Sequence, residues 1–515
     1  MTLDAITAEV ISNKLGSVAD EMSVVLIRSS VSTNIKERED CSTSVFDAAG
    51  RLLYQAENIP LHLGSLQGMV RATRERYGDD VHAGDMFIGN DPYEGGGTHL
   101  PDIVLIAPVF AESTHVGFVA NLGHHADFVQ RRHHHVFEEG TRIPPLRIMR
   151  DGRWIDEPLA LVMANFQVPA ERQADLEAQM AANLVGVAGF ERVVETAGLE
   201  TFRDAVEEML AHSERQLRRT VSDIPDGTYA AHEPFDCNEL AEPIPLGLEL
   251  TVDGSDLRLS FEAPDQVRAG INVVESALEA SCYYAVKSLI APEALPNAGM
   301  FRAVHVDAPR GSVLHAELPA AVFTRSQTCQ RVVDLVYGAL QQALPDLCRA
   351  QSHGTNTMVV TSGEDPRSGR FYAYIETLGG GGGAGPERPG ENAVQVHVTN
   401  TSNLPIESLE LEYPLQVVEY GLIDGSGGDG ARPGGRGIRR RIRILSEDTV
   451  VEYNGTRIST RPAGARGGGA GGPARCWVEL ADGRRVDRSA EVEFGVDAGD
   501  VVGVDTPGGG GYGRA

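Results

Sequence analysis

Two apolar runs, DIVLIAPVF at 102–110 and HVGFVANLG at 115–123, are joined by the four residues AEST, and this spacing reads as a β-hairpin. Folding the chain about residue 112 or 113 sets His124 opposite Pro101, within a residue of register. Pro101 argues against a continuous helix from His99 to Asp102, so those two straddle a turn that enters the first strand. His99, Asp102 and His124 are therefore expected to meet at one end of the hairpin. Two imidazoles and a carboxylate are a common ligand set for a catalytic divalent ion, because three protein ligands leave a position open. Zinc and manganese both suit it.

The surroundings hold more candidates. Nine of the fifteen histidines fall between His62 and His135. His125 and Asp127 follow the third ligand closely enough to fix a ligand tautomer or carry a proton. Glu376 and His397 are candidate acid and base groups from a distant segment. The tract RRHHHVFEEG, with His133, His134 and His135, reads as a solvated loop rather than a metal site. The run ETLGGGGGAG at 376–385 is a loose glycine loop: it lacks the Gly-Lys-Ser/Thr ending of a P-loop, and no Gly-Lys pair occurs in the chain. ATP binding by this chain alone is not expected.

Charge narrows the partners. The formal net charge of -28 repels phosphate backbones and anionic headgroups, so neither nucleic acid nor a membrane surface is expected as a partner. Lysine appears only as Lys14, Lys36 and Lys287, which disfavours Schiff-base chemistry. Six cysteines without a CxxC spacing fit a reducing cytoplasm. MTLDAITAEV places an aspartate where an export signal carries positive charge, and no stretch approaches roughly 20 apolar residues.

The patterning predicts an α+β chain in four regions. Residues 1–168 form an amphipathic helix after Asp4 followed by a sheet-rich, metal-binding region. In residues 169–225 the stretches ERQADLEAQMAANLVGV and LETFRDAVEEMLAHSERQLRRTV lack proline and read as two or three helices. Residues 226–420 are mixed, with a hairpin across Asp253 and Gly254 and helices at ESALEASCYYAVKSLI and SQTCQRVVDLVYGALQQAL. Residues 421–515 read as glycine-rich loops around a small β-rich tail.

The landmarks NIKERED at 34–40, IPLHLGSL at 59–66, NDPYEGGGTHLPD at 90–102, NLGHHAD at 121–127, EGTRIPPLRI at 139–148 and AVQVHVTNTSNLPIE at 393–407 together resemble the hydantoinase B family. That family includes N-methylhydantoinase B subunits, the second half of 5-oxoprolinase, and subunits of acetone and acetophenone carboxylases. In the carboxylase relatives the histidine and aspartate of THxPD and the first histidine of HHAD hold a divalent metal. These motif positions are His99, Asp102 and His124, the trio selected by the hairpin.

The resemblance implies a hetero-oligomer. An A-type ATPase partner with bound ATP and Mg phosphorylates a lactam or hydantoin, and the B subunit opens the ring. A ketone carboxylase subunit and a non-catalytic scaffold with a structural metal are the competing expectations. Three glycines precede Thr98 where many relatives have two, and the tail after NGTRISTRP is shorter than usual.

Overall fold

The computed structural model describes residues 5–125, 130–131 and 133–515. The fold is α+β, with several sheets and helices packed between and over them. Among the described residues no helix is long and apolar enough to cross a membrane.

The first sheet is antiparallel and carries the site. Its strands are β1 (Cys41–Asp47), β2 (Leu52–Gln55), β3 (Met86–Gly89), β4 (Asp102–Ala111), β5 (Thr114–His124), β6 (Leu146–Arg150) and β7 (Arg153–Trp154), in the order β2-β1-β5-β4-β3-β6-β7. The β4–β5 hairpin closes at Glu112 and Ser113, whose φ angles of 48° and 68° are left-handed, as a two-residue primed turn requires. The register runs from Ala111↔Thr114 to Asp102↔His124, one residue from the expected pairing.

Both faces of this sheet are buried, which explains runs of apolar residues rather than strict alternation. Val104, Ile106, Phe118 and Leu122 pack with Leu66 and Met69 of the helix His62–Tyr77. Ile103, Leu105 and Val109 face Leu15, Met22 and Leu176 on the helices Ala5–Ser29 and Pro169–Ala197. Each such side chain stabilises the fold by about 1.5–3 kcal/mol relative to exposure. Polar pins fix the long helix in place: Asn121 Nδ2 donates to the Gln179 carbonyl (2.7 Å), Gln179 Nε2 to the Ile103 carbonyl (2.9 Å) and Asn183 Nδ2 to the Leu105 carbonyl (3.1 Å).

The helix His62–Tyr77 interrupts the region read as sheet-rich. Gly64 and Gly68 look like turn punctuation in sequence, but they serve close packing: a Cβ on Gly68 would stand 2.0 Å from the Gly96 carbonyl oxygen, and one on Gly64 2.4 Å from that of Ser276. The GGG of 95–97 is thereby pressed onto this helix just before His99.

A second sheet pairs Gly227–Phe235, Ile244–Asp253, Asp256–Glu262 and Val304–Asp307, backed by the helices Glu275–Ile290 and Arg325–Ala343. A third joins Arg370–Leu378, Thr357–Asp365, Thr449–Asn454 and Glu493–Val496. The fourth runs Leu415–Leu422, Ile438–Ile444, Val501–Asp505, Arg475–Glu479 and Arg485–Asp487.

The glycine runs are not the loose loops expected of them. Gly381–Pro507, Gly435–Gly382, Gly509–Gly435, Gly428–Gly509 and Gly511–Gly469 are joined N–H to C=O at 2.8 to 3.0 Å. Gly508, Gly509, Gly510 and Gly511 are buried. Backbones approach this closely only where no Cβ intervenes. Segments 379–385, 426–437, 463–472 and 507–513 thus pack backbone against backbone, with 507–511 at the buried centre.

Candidate metal centre

His99 and Asp102 leave the glycine-lined loop at the start of β4, and His124 ends β5 directly across from Asp102. One ligand atom from each of the three lies within 4.8 Å of the others, and the three residues are 4 %, 0 % and 8 % exposed.

Each group is held from behind. Arg325, at the first turn of the helix Arg325–Ala343, donates through Nη2 to Asp102 Oδ2 (2.8 Å) and to Thr98 Oγ1 (2.9 Å). Its Nη1 lies 3.0 Å from His99 Nδ1, and the Phe323 carbonyl lies 3.1 Å from the same nitrogen. Asn34 Nδ2 donates to the His124 carbonyl (3.1 Å) and sits 2.9 Å from His124 Nδ1. The fully buried Arg38 donates in turn to Asn34 Oδ1 (2.7 Å) and Thr377 Oγ1 (2.9 Å).

What these supports leave free is informative. His99 Nε2 and Asp102 Oδ1 are buried 3.2 Å from each other, and neither has a hydrogen-bond partner beyond the other. Ligands about 2.1 Å from one ion stand about 3.0–3.4 Å apart at adjacent positions, so the spacing suits a shared cation. Burial raises the Asp102 carboxyl, but the His99, His62 and Arg325 charges prevail and hold it well below the usual carboxylate range. Burial lowers His124 to about 3, so its imidazole is neutral at physiological pH, as a ligand must be.

The pocket in front is small, about 60 Å³. Leu61, Phe323, Met358, Ile375 and Val398 supply apolar walls, and Asp40 and His62 a polar edge. His62 Nε2 lies 3.5 Å from Asp40 Oδ1 and 3.7 Å from Asp102 Oδ1, and burial lowers its pKa. The sequence reading passed over both residues as well as Arg325 and Asn34. NIKERED and IPLHLGSL contain Asn34, Asp40 and His62, so the landmarks marked the place without marking the roles.

The remaining candidates lie elsewhere. His125 turns away from its neighbour: Nε2 is 3.0 Å from Gln179 Oε1 and the ring stacks on Phe166. Burial, with Arg172 next, lowers it to about 4. Asp127 lies outside the described residues. Glu376 points to the opposite face of its strand from Ile375 and Thr377, where Arg440 bridges both its oxygens at 3.2 Å and Tyr374 donates to it. His397 lines a separate cavity and pairs with Asp334 at 3.3 Å.

The histidine tract is divided. His134 and His135 are accessible beside Glu138, whereas His133 is buried and stacked on Phe323 at 4.1 Å, contrary to the solvated-loop reading. The apolar face of Phe323 accounts for its burial.

The family model described as hydantoinase B/oxoprolinase matches residues 4–515. The chain is 34% identical to an uncharacterised protein of Methanocaldococcus jannaschii, over 99% of this chain and 91% of the relative. It is 30% identical to 5-oxoprolinase 1 of Arabidopsis thaliana over 99% of its length, and spans 42% of that longer protein. Caprolactamase subunit beta of Pseudomonas jessenii is 27% identical over 99% of this chain and 91% of the subunit. The crystal structure of the ATP-dependent caprolactamase from that organism is similar over 100% of this chain and 92% of that one, with TM-score 0.90 and 26% identity.

Proposed function

The chain belongs to the hydantoinase B/oxoprolinase family, and on that premise we propose that it is the B-type subunit of a cytoplasmic, ATP-dependent cyclic amide hydrolase. Its A-type partner phosphorylates a lactam or hydantoin, and the ring opens beside His99, Asp102 and His124. The names of the relatives, a 5-oxoprolinase and a caprolactamase subunit, support the reaction class. A protein named as a subunit supports a partner.

The observation that carries this reading is the pair of buried ligand atoms, His99 Nε2 and Asp102 Oδ1, with no partner beyond each other, beside His124. A divalent ion, zinc or manganese, fits the donor set and supplies Lewis acidity toward a carbonyl oxygen. Arg325 joins His99 and His62 in keeping Asp102 ionised and turns it so that Oδ1 lies beside His99 Nε2. The apolar walls accept ring methylenes and exclude bulk water. Asp40 and His62, on the pocket edge, are the groups placed to pass a proton to the departing nitrogen.

The test is an assay of ATP hydrolysis dependent on 5-oxoproline, caprolactam or hydantoin, with and without the A-type partner, with bound metal measured in the same samples. Turnover in the complex alone, lost together with the metal in His99→Ala, is expected. Turnover unchanged in a metal-free complex would sink the metal chemistry, and dependence on bicarbonate with a ketone would make the complex a carboxylase.

A further inference from the structure

A second, larger cavity of about 920 Å³ lies behind one wall of the metal pocket. The wall is a single layer of chain. Asn58 and Pro60 face the large cavity while Ile59 and Leu61 face the metal pocket, His397 and Val398 divide in the same way, and Thr399 reaches both.

Its floor carries a fixed set of polar groups. His397 has a left-handed φ of 58°, a conformation that strains a non-glycine residue and persists only where the surroundings enforce it. The enforcement is visible. Asp334 Oδ1 lies 3.3 Å from His397 Nε2, Arg457 binds the other Asp334 oxygen at 3.1 Å, and Glu233 holds Arg457 at 2.9 Å. Tyr337 and Tyr284 meet the imidazole edge-on at 5.5 and 6.3 Å. The Tyr284 hydroxyl faces the His397 backbone, and the Tyr337 hydroxyl lies 2.8 Å from Ser288 Oγ.

Arg349 also lines this cavity. Only its backbone N–H is engaged, by Gln341. Its guanidinium is exposed at the cavity edge and has no ion pair or hydrogen bond among the described residues. The acids on the same wall do not reach it: Asp334 is taken by Arg457, and Glu391 lies 3.8 Å from Arg388. Asp346 and Glu387 complete the acidic residues of the lining, and Arg466, which donates to the Pro345 carbonyl, is the third arginine.

We propose that this cavity is a second binding site, taking a small oxyanion on the free Arg349 guanidinium between His397, Tyr284 and Tyr337. A planar guanidinium recognises carboxylate or phosphate oxygens in a bidentate fork, and the His397, Tyr284 and Tyr337 rings, each held by its own partner, form the fixed wall beside it. The choice of ligand class rests on the reading above: hydrolysis of a cyclic amide with ATP releases an amino carboxylate and inorganic phosphate, each an oxyanion formed one wall away.

The test is calorimetric titration of the metal-loaded full chain with inorganic phosphate and, separately, with glutamate. Saturable binding of either anion is expected, weakened roughly tenfold or more in Arg349→Ala and unchanged in His99→Ala. The anion that binds identifies the source. Absence of binding by both, or binding lost in His99→Ala and retained in Arg349→Ala, overturns the proposal. Lactam-dependent ATP hydrolysis by the complex is read separately, so turnover without oxyanion binding rejects this site alone.

Discussion

Arg325 holds one oxygen of Asp102 and leaves the other beside His99: Nη2 donates to Oδ2 at 2.8 Å, while Oδ1 lies 3.2 Å from His99 Nε2. The arginine therefore fixes the rotation of a ligand and adds to the His99 and His62 charges that keep it ionised. Arg325→Met should lower metal affinity about 10- to 100-fold, the usual cost of losing a group that orients a ligand. Competition with a chelating dye measures it. Affinity within a factor of two of the unaltered chain would mean that Asp102 is positioned without Arg325.

Glu139 acts one step further out. Its Oε1 accepts the backbone N–H groups of Val322 (2.8 Å) and Phe323 (2.7 Å), and the Phe323 carbonyl faces His99 Nδ1. Glu139→Ala leaves two buried donors unsatisfied and should cost on the order of 2–4 kcal/mol. A lower denaturant midpoint is the first readout, and weaker metal binding at temperatures where the variant stays folded is the second. Glu139→Gln keeps an acceptor and should recover most of both.

The hairpin made the candidate metal site legible, because side chains alternate along a strand and a two-residue turn leaves little freedom of register. His124 needed only the turn centre to be found within one residue of its partner Asp102. Glu376 was not legible for the same reason in reverse. It lies between Ile375 and Thr377, which face the pocket, and nothing local decides which parity of a strand looks inward. Arg325 was invisible because it arrives more than two hundred residues later from a helix start. The glycine runs misled most: in sequence they resemble solvated linkers, and only their neighbours reveal that the missing side chains make room for other backbones.

That packing predicts a sharp contrast between glycines. A Cβ on Gly509 would stand 1.9 Å from the Gly382 carbonyl oxygen, with backbone on both sides, whereas one on Gly421 meets nothing within 4 Å. Gly509→Ala should therefore unfold at a markedly lower temperature or fail to accumulate as a soluble chain, while Gly421→Ala should change stability by less than about 1 kcal/mol. Thermal melts of the pair decide it. Equal melting temperatures would show that the glycine interior yields at little cost.

The same interior contains a pH liability. His353 is fully buried against Gly380, and burial, with the His397 charge next, lowers its pKa to about 3. In the unfolded chain the imidazole takes up a proton near the ordinary histidine pKa of about 6.5, so between the two values the unfolded state binds more protons. Stability must then fall as pH drops through that window. By pH 5 this residue alone should cost about 2 kcal/mol relative to pH 7.5. Denaturant titrations at the two pH values measure the loss, and His353→Gln, which carries no titrating group, should show a smaller one. An identical pH dependence in both chains would mean that His353 takes up its proton without unfolding.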